Sequence, residues 1–192
     1  MLQAWQWSSH RCGIFAIKKG GILISRLKNF WQSASGIWIL YAATIGALVL
    51  DQASKLIVLK LLKLPELGQI DVLPPLLNFR MAWNYGINFG LFSQDSPLTR
   101  WMLIAVAMAI IGFVFIWIKR EQPKNIVMLA AGLLIGGALG NVVDRILYGA
   151  VVDFLNMSCC GIVNPYAFNI ADVEIFIGAV GVALLSEDKN VA

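Results

Sequence analysis

The sequence predicts a mainly α-helical membrane protein, with four transmembrane helices and a small sheet on the outward side. Three observations predict it. Of 192 residues, 59% are hydrophobic and only 14% charged, with a mean hydropathy of +0.75, too apolar for an ordinary soluble domain. Charge-poor stretches approaching the roughly 20 residues that cross a bilayer recur at 36–50, 101–118 and 125–143, and a fourth, 175–185, becomes long enough if it begins near Phe168. Between the first two lies a proline-punctuated segment containing a period-two run.

Residues 1–35 form a basic, amphipathic arm. Gly20, Gly21 and five cations, Arg11, Lys18, Lys19, Arg26 and Lys28, interrupt the apolar core that a cleavable leader needs. Leu23, Leu27, Phe30 and Trp31 fall at helical spacing and predict an interfacial helix with no role beyond anchoring. Residues 36–186 are then one four-span membrane domain, followed by a short tail, 187–192.

The first span is expected to end at Asp51-Gln52-Ala53-Ser54-Lys55. Asp51 and Lys55 are four apart, so they share a helix face and can pair; a simple ion pair at the lipid interface has the same spacing. Pro65, Pro74, Pro75 and Pro97 exclude a helix through the 60–97 connection. Within it, Leu77, Phe79, Met81 and Trp83 alternate with Asn78, Arg80, Ala82 and Asn84. This predicts a strand with one greasy face, with Gly86 and Gly90 offering a turn or a close backbone approach.

In the third span, Gly132, Gly136 and Gly140 recur every four residues, a seam that lets a neighbouring helix come to backbone contact. Asn141, Asp144 and Arg145 follow as a polar edge. A second outward connection covers 144–170. It leads to Asn169 and Asp172, spaced as an N-cap and a first-turn acid of the fourth span.

Orientation follows from cations near span ends. The arm carries five and the 118–125 connection adds Lys119, Arg120 and Lys124, whereas the 143–168 connection has only Arg145. Both chain ends are therefore expected in the cytoplasm, with the 60–97 and 144–170 connections outside. The pI near 9.1 belongs to cations flanking apolar spans, so the expected partners are anionic membrane lipids, not nucleic acid.

The single histidine, His10, lies in the arm, and the three cysteines, Cys12, Cys159 and Cys160, have no histidine partners. A Ser-His-Asp triad and a zinc site are thereby excluded, and no metal or cofactor is expected. What remains is carboxylate chemistry. Asp153 is hemmed by Val151, Val152, Phe154 and Leu155, where desolvation disfavours its charge. Brought beside Asp172 at a semi-dry surface, it would share a proton, one acid acting as base and the other as acid. Asp172 alone could be an ordinary cap. Glu174 is a rival carboxylate, but two positions beyond Asp172 it faces elsewhere and is expected to snorkel or pack.

Five blocks in order resemble signal peptidase II, the bacterial lipoprotein signal peptidase family of intramembrane aspartyl proteases. They are Asp51-Gln52-x-x-Lys55, Asn84-x-Gly86-x-x-Phe89-Gly90, Gly136-Gly137-x-x-Gly140-Asn141-x-x-Asp144-Arg145, Val152-Asp153-Phe154 and Phe168-Asn169-x-Ala171-Asp172. The resemblance runs from about Gly36 to Leu185. It implies four transmembrane helices with a β-cradle and an interfacial helix on the outer side of the inner membrane. The family's catalytic pair falls on Asp153 and Asp172. Asp51, Lys55 and Asp144 match supporting residues, while Asn84, Gly86, Asn141, Arg145 and Asn169 match residues around the site. The implied substrate is a diacylglyceryl-modified prolipoprotein cut before its lipobox cysteine, by an enzyme inhibited by globomycin; apart from the resemblance, the protein is expected to be monomeric. Asn88 stands where the family usually has a small residue, and the arm is longer than usual.

Two other classes compete. A transporter or channel with an Asp153, Asp172 and Arg145 relay would place polar residues at mid-span, whereas here they crowd one face. A scaffold protein would use the glycine seam and caps but leaves the concentration of Asn, Asp and Arg at one level without a cause.

Overall fold

The computed structural model describes residues 36–86, 97–158 and 164–186. The arm, Asn88, Phe89, Gly90, Cys159, Cys160 and the tail lie outside the described residues.

Three helices are long and apolar enough to cross a membrane: α1 (Gly36–Leu61), α3 (Pro97–Glu121) and α4 (Asn125–Tyr148). At 1.5 Å per residue each reaches about 36–39 Å, beyond the roughly 30 Å hydrocarbon core. The remaining elements are a one-turn helix α2 (Leu64–Leu67), strands β1 (Gln69–Leu73), β2 (Leu77–Asn84) and β3 (Val151–Met157), and a helix α5 (Ile170–Leu185). Helix α4 is the centre. Protein covers 61% of its apolar stretch, against 22% for α1 and 17% for α3.

The glycine seam explains how α4 becomes central. At Gly136 a Cβ would sit 2.6 Å from both the Thr44 carbonyl and the Ala47 Cβ of α1, so only glycine permits this approach. Gly132 meets Ala43 and the Leu40 carbonyl in the same way. On the other flank, Gly178 of α5 rests against the Leu134 and Ala130 backbone of α4. Leu40, Val114, Ile118, Met128, Ala131, Leu134 and Ile135 complete an apolar core joining α1, α3 and α4.

The strands form one antiparallel sheet in the order β1-β2-β3. The period-two run is strand β2, but its greasy face does not run unbroken. Leu77 pairs with Met157 and Phe79 with Leu155, and then the register shifts by one, so that Ala82, not Met81, faces Asp153, and Asn84 faces Val151. Such a bulge re-aims side chains. Phe79 and Met81 pack with Val58, Leu64 and Phe154, Trp83 turns outward against the Tyr148 ring at 5.8 Å, and Asn84 becomes the diagonal neighbour of Asp153.

Three boundaries differ from the sequence expectation. Helix α1 continues past Lys55 to Leu61, closing in a π-turn at Ile57–Leu61, because Asp51 and Lys55 are buried and paired and do not mark an interface. Helix α4 likewise continues through Asp144 and Arg145 and stops at Gly149, whose φ of 82° is the left-handed C-terminal conformation glycine allows. The second connection therefore starts at Gly149 and is not all loop, since Val151–Met157 is strand β3. Proline-rich 60–97 does hold one helical turn, α2, with Pro65 in its first positions, where its missing N–H costs nothing.

Candidate active site

Asp153 lies in β3, and the segment before α5 folds back onto that strand. Phe168 N–H donates to the Leu155 carbonyl at 2.9 Å, and the Phe168 carbonyl accepts from Phe154 and Leu155 at 3.0 and 2.8 Å. This bridge sets Asn169 beside Asp153. Asn169 is the N-cap of α5, with the reciprocal capping box the spacing predicts: its Oδ1 accepts from Asp172 N–H at 2.9 Å, and its own N–H donates to Asp172 Oδ2 at 3.3 Å. Its side-chain Nδ2 donates to Asp153 Oδ1 at 2.7 Å. One asparagine thus holds both aspartates.

Two further amides complete the grip. Asn84 donates to Asp153 Oδ2 at 3.1 Å, and Asn141 donates to Asp172 Oδ1 at 3.0 Å while accepting from Asn169 at 3.2 Å. Asp153 is fully buried and Asp172 half-buried. Burial pushes the Asp153 carboxyl up to about 7 and the neighbouring charge of Asp172 adds to the rise, while donors from Asn84 and Asn169 and the charge of Lys55 act against it. Arg145 reaches across with donations to the Asn141 carbonyl at 3.3 Å and the Gly86 carbonyl at 3.4 Å. Its charge acts on Asp153, Asp172 and Asp144.

Behind this pair lies a buried ionic cluster. Lys55 Nζ is 2.7 Å from Asp51 Oδ2 and 2.7 Å from Asp144 Oδ2, and donates to Asn141 Oδ1 at 3.4 Å. Each acid also holds a piece of backbone. Asp51 Oδ1 accepts from Ala171 N–H at 3.1 Å and Asp144 Oδ2 from Val152 N–H at 3.1 Å, so the cluster anchors the residue immediately before each aspartate of the pair. Gly140 is required where it is, because a Cβ there would run into Asp51 Oδ2.

All the sequence-predicted site residues that the structure describes converge here: Asp51, Lys55, Asn84, Gly86, Asn141, Asp144, Arg145, Asp153, Asn169 and Asp172. Glu174 packs as a buried group and does not snorkel. Sequence reasoning quoted Gln52 in a matching block but gave it no place at the site; its Nε2 donates to Asp144 Oδ1 at 2.9 Å, Asp51 Oδ2 at 3.1 Å and the Gly140 carbonyl at 3.2 Å. A polar residue beside Asp51 in a greasy helix was the available signal.

Fold and site together define a polytopic membrane protein with a buried, amide-bound pair of carboxylates where its helices meet a small sheet. Residues 43–186 match the family model described as signal peptidase (SPase) II, and the chain belongs to that family. It is similar to the lipoprotein signal peptidase of Methylobacterium sp. (strain 4-46), 44% identical over 144 residues covering 74% of this chain and 86% of that protein. The lipoprotein signal peptidase of Caulobacter vibrioides is 40% identical over 153 residues, covering 79% and 86%. A solved bacterial membrane enzyme superposes with a TM-score of 0.64 at 28% identity, covering 83% of this chain and 92% of that one.

Proposed function

We propose that this chain is an intramembrane aspartyl endopeptidase that removes signal peptides from prolipoproteins, cutting before the diacylglyceryl-modified lipobox cysteine, with Asp153 and Asp172 as the catalytic pair. Family membership supports the peptidase and its prolipoprotein substrate. The observation that carries the pair is Asn169, whose side-chain Nδ2 donates to the Asp153 carboxyl and whose backbone N–H donates to the Asp172 carboxyl.

Two carboxylates held this way can act as an acid and base pair around one proton. The raised Asp153 is suited to hold that proton, leaving Asp172, in the first turn of α5 where the helix dipole favours negative charge, as base. Asp172 removes a proton from water as its oxygen attacks the scissile carbonyl carbon, and Asp153 gives its proton to the developing oxyanion. On collapse, Asp153 takes back a hydroxyl proton, Asp172 protonates the cysteine nitrogen, and the C–N bond breaks. Each well-placed proton transfer contributes about 10²–10⁴-fold. No side-chain nucleophile is needed. Arg145, Asn141 and Asn84 line the site, Gly86 offers its carbonyl, and Asp51, Lys55 and Asp144 support it.

The four-span arrangement makes α5 the fourth span. Its 16 residues reach about 24 Å, short of the roughly 30 Å hydrocarbon core, which supports a pair lying near the outer face of the inner membrane. Both termini are then cytoplasmic. The enzyme works as a monomer among membrane lipids, without cofactor, and globomycin blocks it. The test is cleavage by the purified protein in lipid of one prolipoprotein with and without the diacylglyceryl group. Only the modified form should be cut, and equal cleavage of both would refute the substrate class. A reporter fused after Asp188 should read cytoplasmic.

A further inference from the structure

Glu174 has no place in the mechanism above, yet it is 6% exposed, and neither of its carboxyl oxygens finds a hydrogen-bond donor among the described residues. It lies one turn beyond Ala171 on the inner face of α5, its Cβ against the place where a Cβ on Gly137 would stand. Two charged groups act on it, Asp51 and Lys55, both from α1. On α4 the charged residues Asp144 and Arg145 lie two turns beyond Gly137, and on its own helix Asp172 lies two residues before it.

An ammonium has three donors, and those of Lys55 are taken by Asp51, Asp144 and Asn141. The cluster already holds two acids against one cation. An ionised Glu174 would add a third negative charge with no hydrogen-bond donor to stabilise it, and a buried group so placed neutralises. We propose that Glu174 stands in the bilayer as a neutral, proton-bearing carboxyl, which leaves Lys55 wholly to Asp51 and Asp144. Because those two acids hold the backbone beside Asp172 and Asp153, ionised Glu174 would draw Lys55 away and loosen both anchors, a consequence that rests on the catalytic pair assigned above.

The test is infrared spectroscopy of the purified protein in lipid, reading the carbonyl stretch of protonated carboxyls and its shift in D₂O. The catalytic pair carries such a proton too, so the comparison is made in Asp153→Asn. There a protonated-carboxyl band should remain and should vanish in Asp153→Asn/Glu174→Gln. In the otherwise native enzyme, Glu174→Gln should cleave modified prolipoprotein at the wild-type kcat, because a neutral amide leaves Lys55 where it is. A band unchanged by Glu174→Gln would overturn the proposal, as would a fall in kcat of about tenfold or more in a folded Glu174→Gln protein. If Glu174→Gln does not fold, Glu174→Leu replaces it in both measurements; failure of both neutral variants to fold would also overturn the proposal. Wild-type cleavage by Asp153→Asn would instead reject the catalytic pair, and the band would still report on Glu174.

Discussion

Replacing Lys55 by methionine keeps most of the apolar stem and removes the charge from between two fully buried carboxylates. In the native protein Nζ stands 2.7 Å from both Asp51 and Asp144, and the lysine is 2% exposed, so water does not replace the lost partner. Removing one member of a buried ion pair costs about 3–5 kcal/mol, chiefly through the uncompensated charge left behind. For a chain of this size that lowers the melting temperature by on the order of 10 °C, measurable by tryptophan fluorescence in detergent or lipid. The Ala171 and Val152 anchors should slacken as well, and misplacement of reacting groups by about 1 Å costs roughly 10²-fold in rate. The charge argument makes a stronger demand. Asp51→Asn and Asp144→Asn added to Lys55→Met should recover part of the lost stability, because no bare charge then remains. A Lys55→Met protein melting within a degree or two of wild type would refute the reasoning, and so would a triple variant no more stable than the single one.

Asn169→Ala removes the α5 cap, worth about 1 kcal/mol, together with the one residue among those described that is bonded to both aspartates; kcat should fall roughly 10²-fold with only a modest drop in melting temperature. Gly140→Ala drives a methyl into Asp51 Oδ2 and should destabilise the protein by about 1–3 kcal/mol, whereas Gly46→Ala, where a Cβ meets nothing within 4 Å, should not. Asp153 has a sign that can be worked out. Its folded value, about 7, lies above its ordinary 3.8, so the folded state binds the proton more tightly; its contribution is fully present below about pH 4 and is lost as pH rises through 7, a span of about 4 kcal/mol. Asp153→Asn should therefore melt higher than wild type at pH 8 and lose that advantage at pH 4, as scanning calorimetry at the two pH values would reveal.

What could be read in the sequence was whatever the helix period makes local. Asp51 and Lys55 at i and i+4, the Gly132–Gly136–Gly140 seam, and Asn169 three before Asp172 each fall on one helix face, and each forms the contact its spacing implies. Strand β3 escaped because Val151–Phe154 is buried on both faces, so Val-Val-Asp-Phe shows no alternation. The bulge in β2 escaped because its cause is the partner strand, and it moved Trp83 off the face that alternation assigns it. Helix ends at Asp51 and Asp144 were misplaced because charges signal interfaces unless a distant partner buries them. Gln52 binds Asp144 from 92 positions away, and no local pattern carries that.

The central claim is that Asp153 and Asp172 do the chemistry together. It is tested most directly by single-turnover cleavage of a diacylglyceryl-modified prolipoprotein by purified Asp153→Asn and Asp172→Asn in lipid, with melting temperature recorded on the same samples. Both variants should remain folded and each should lose cleavage by about 10⁴-fold or more. A folded variant of either kind that cleaves at the wild-type rate would contradict the account.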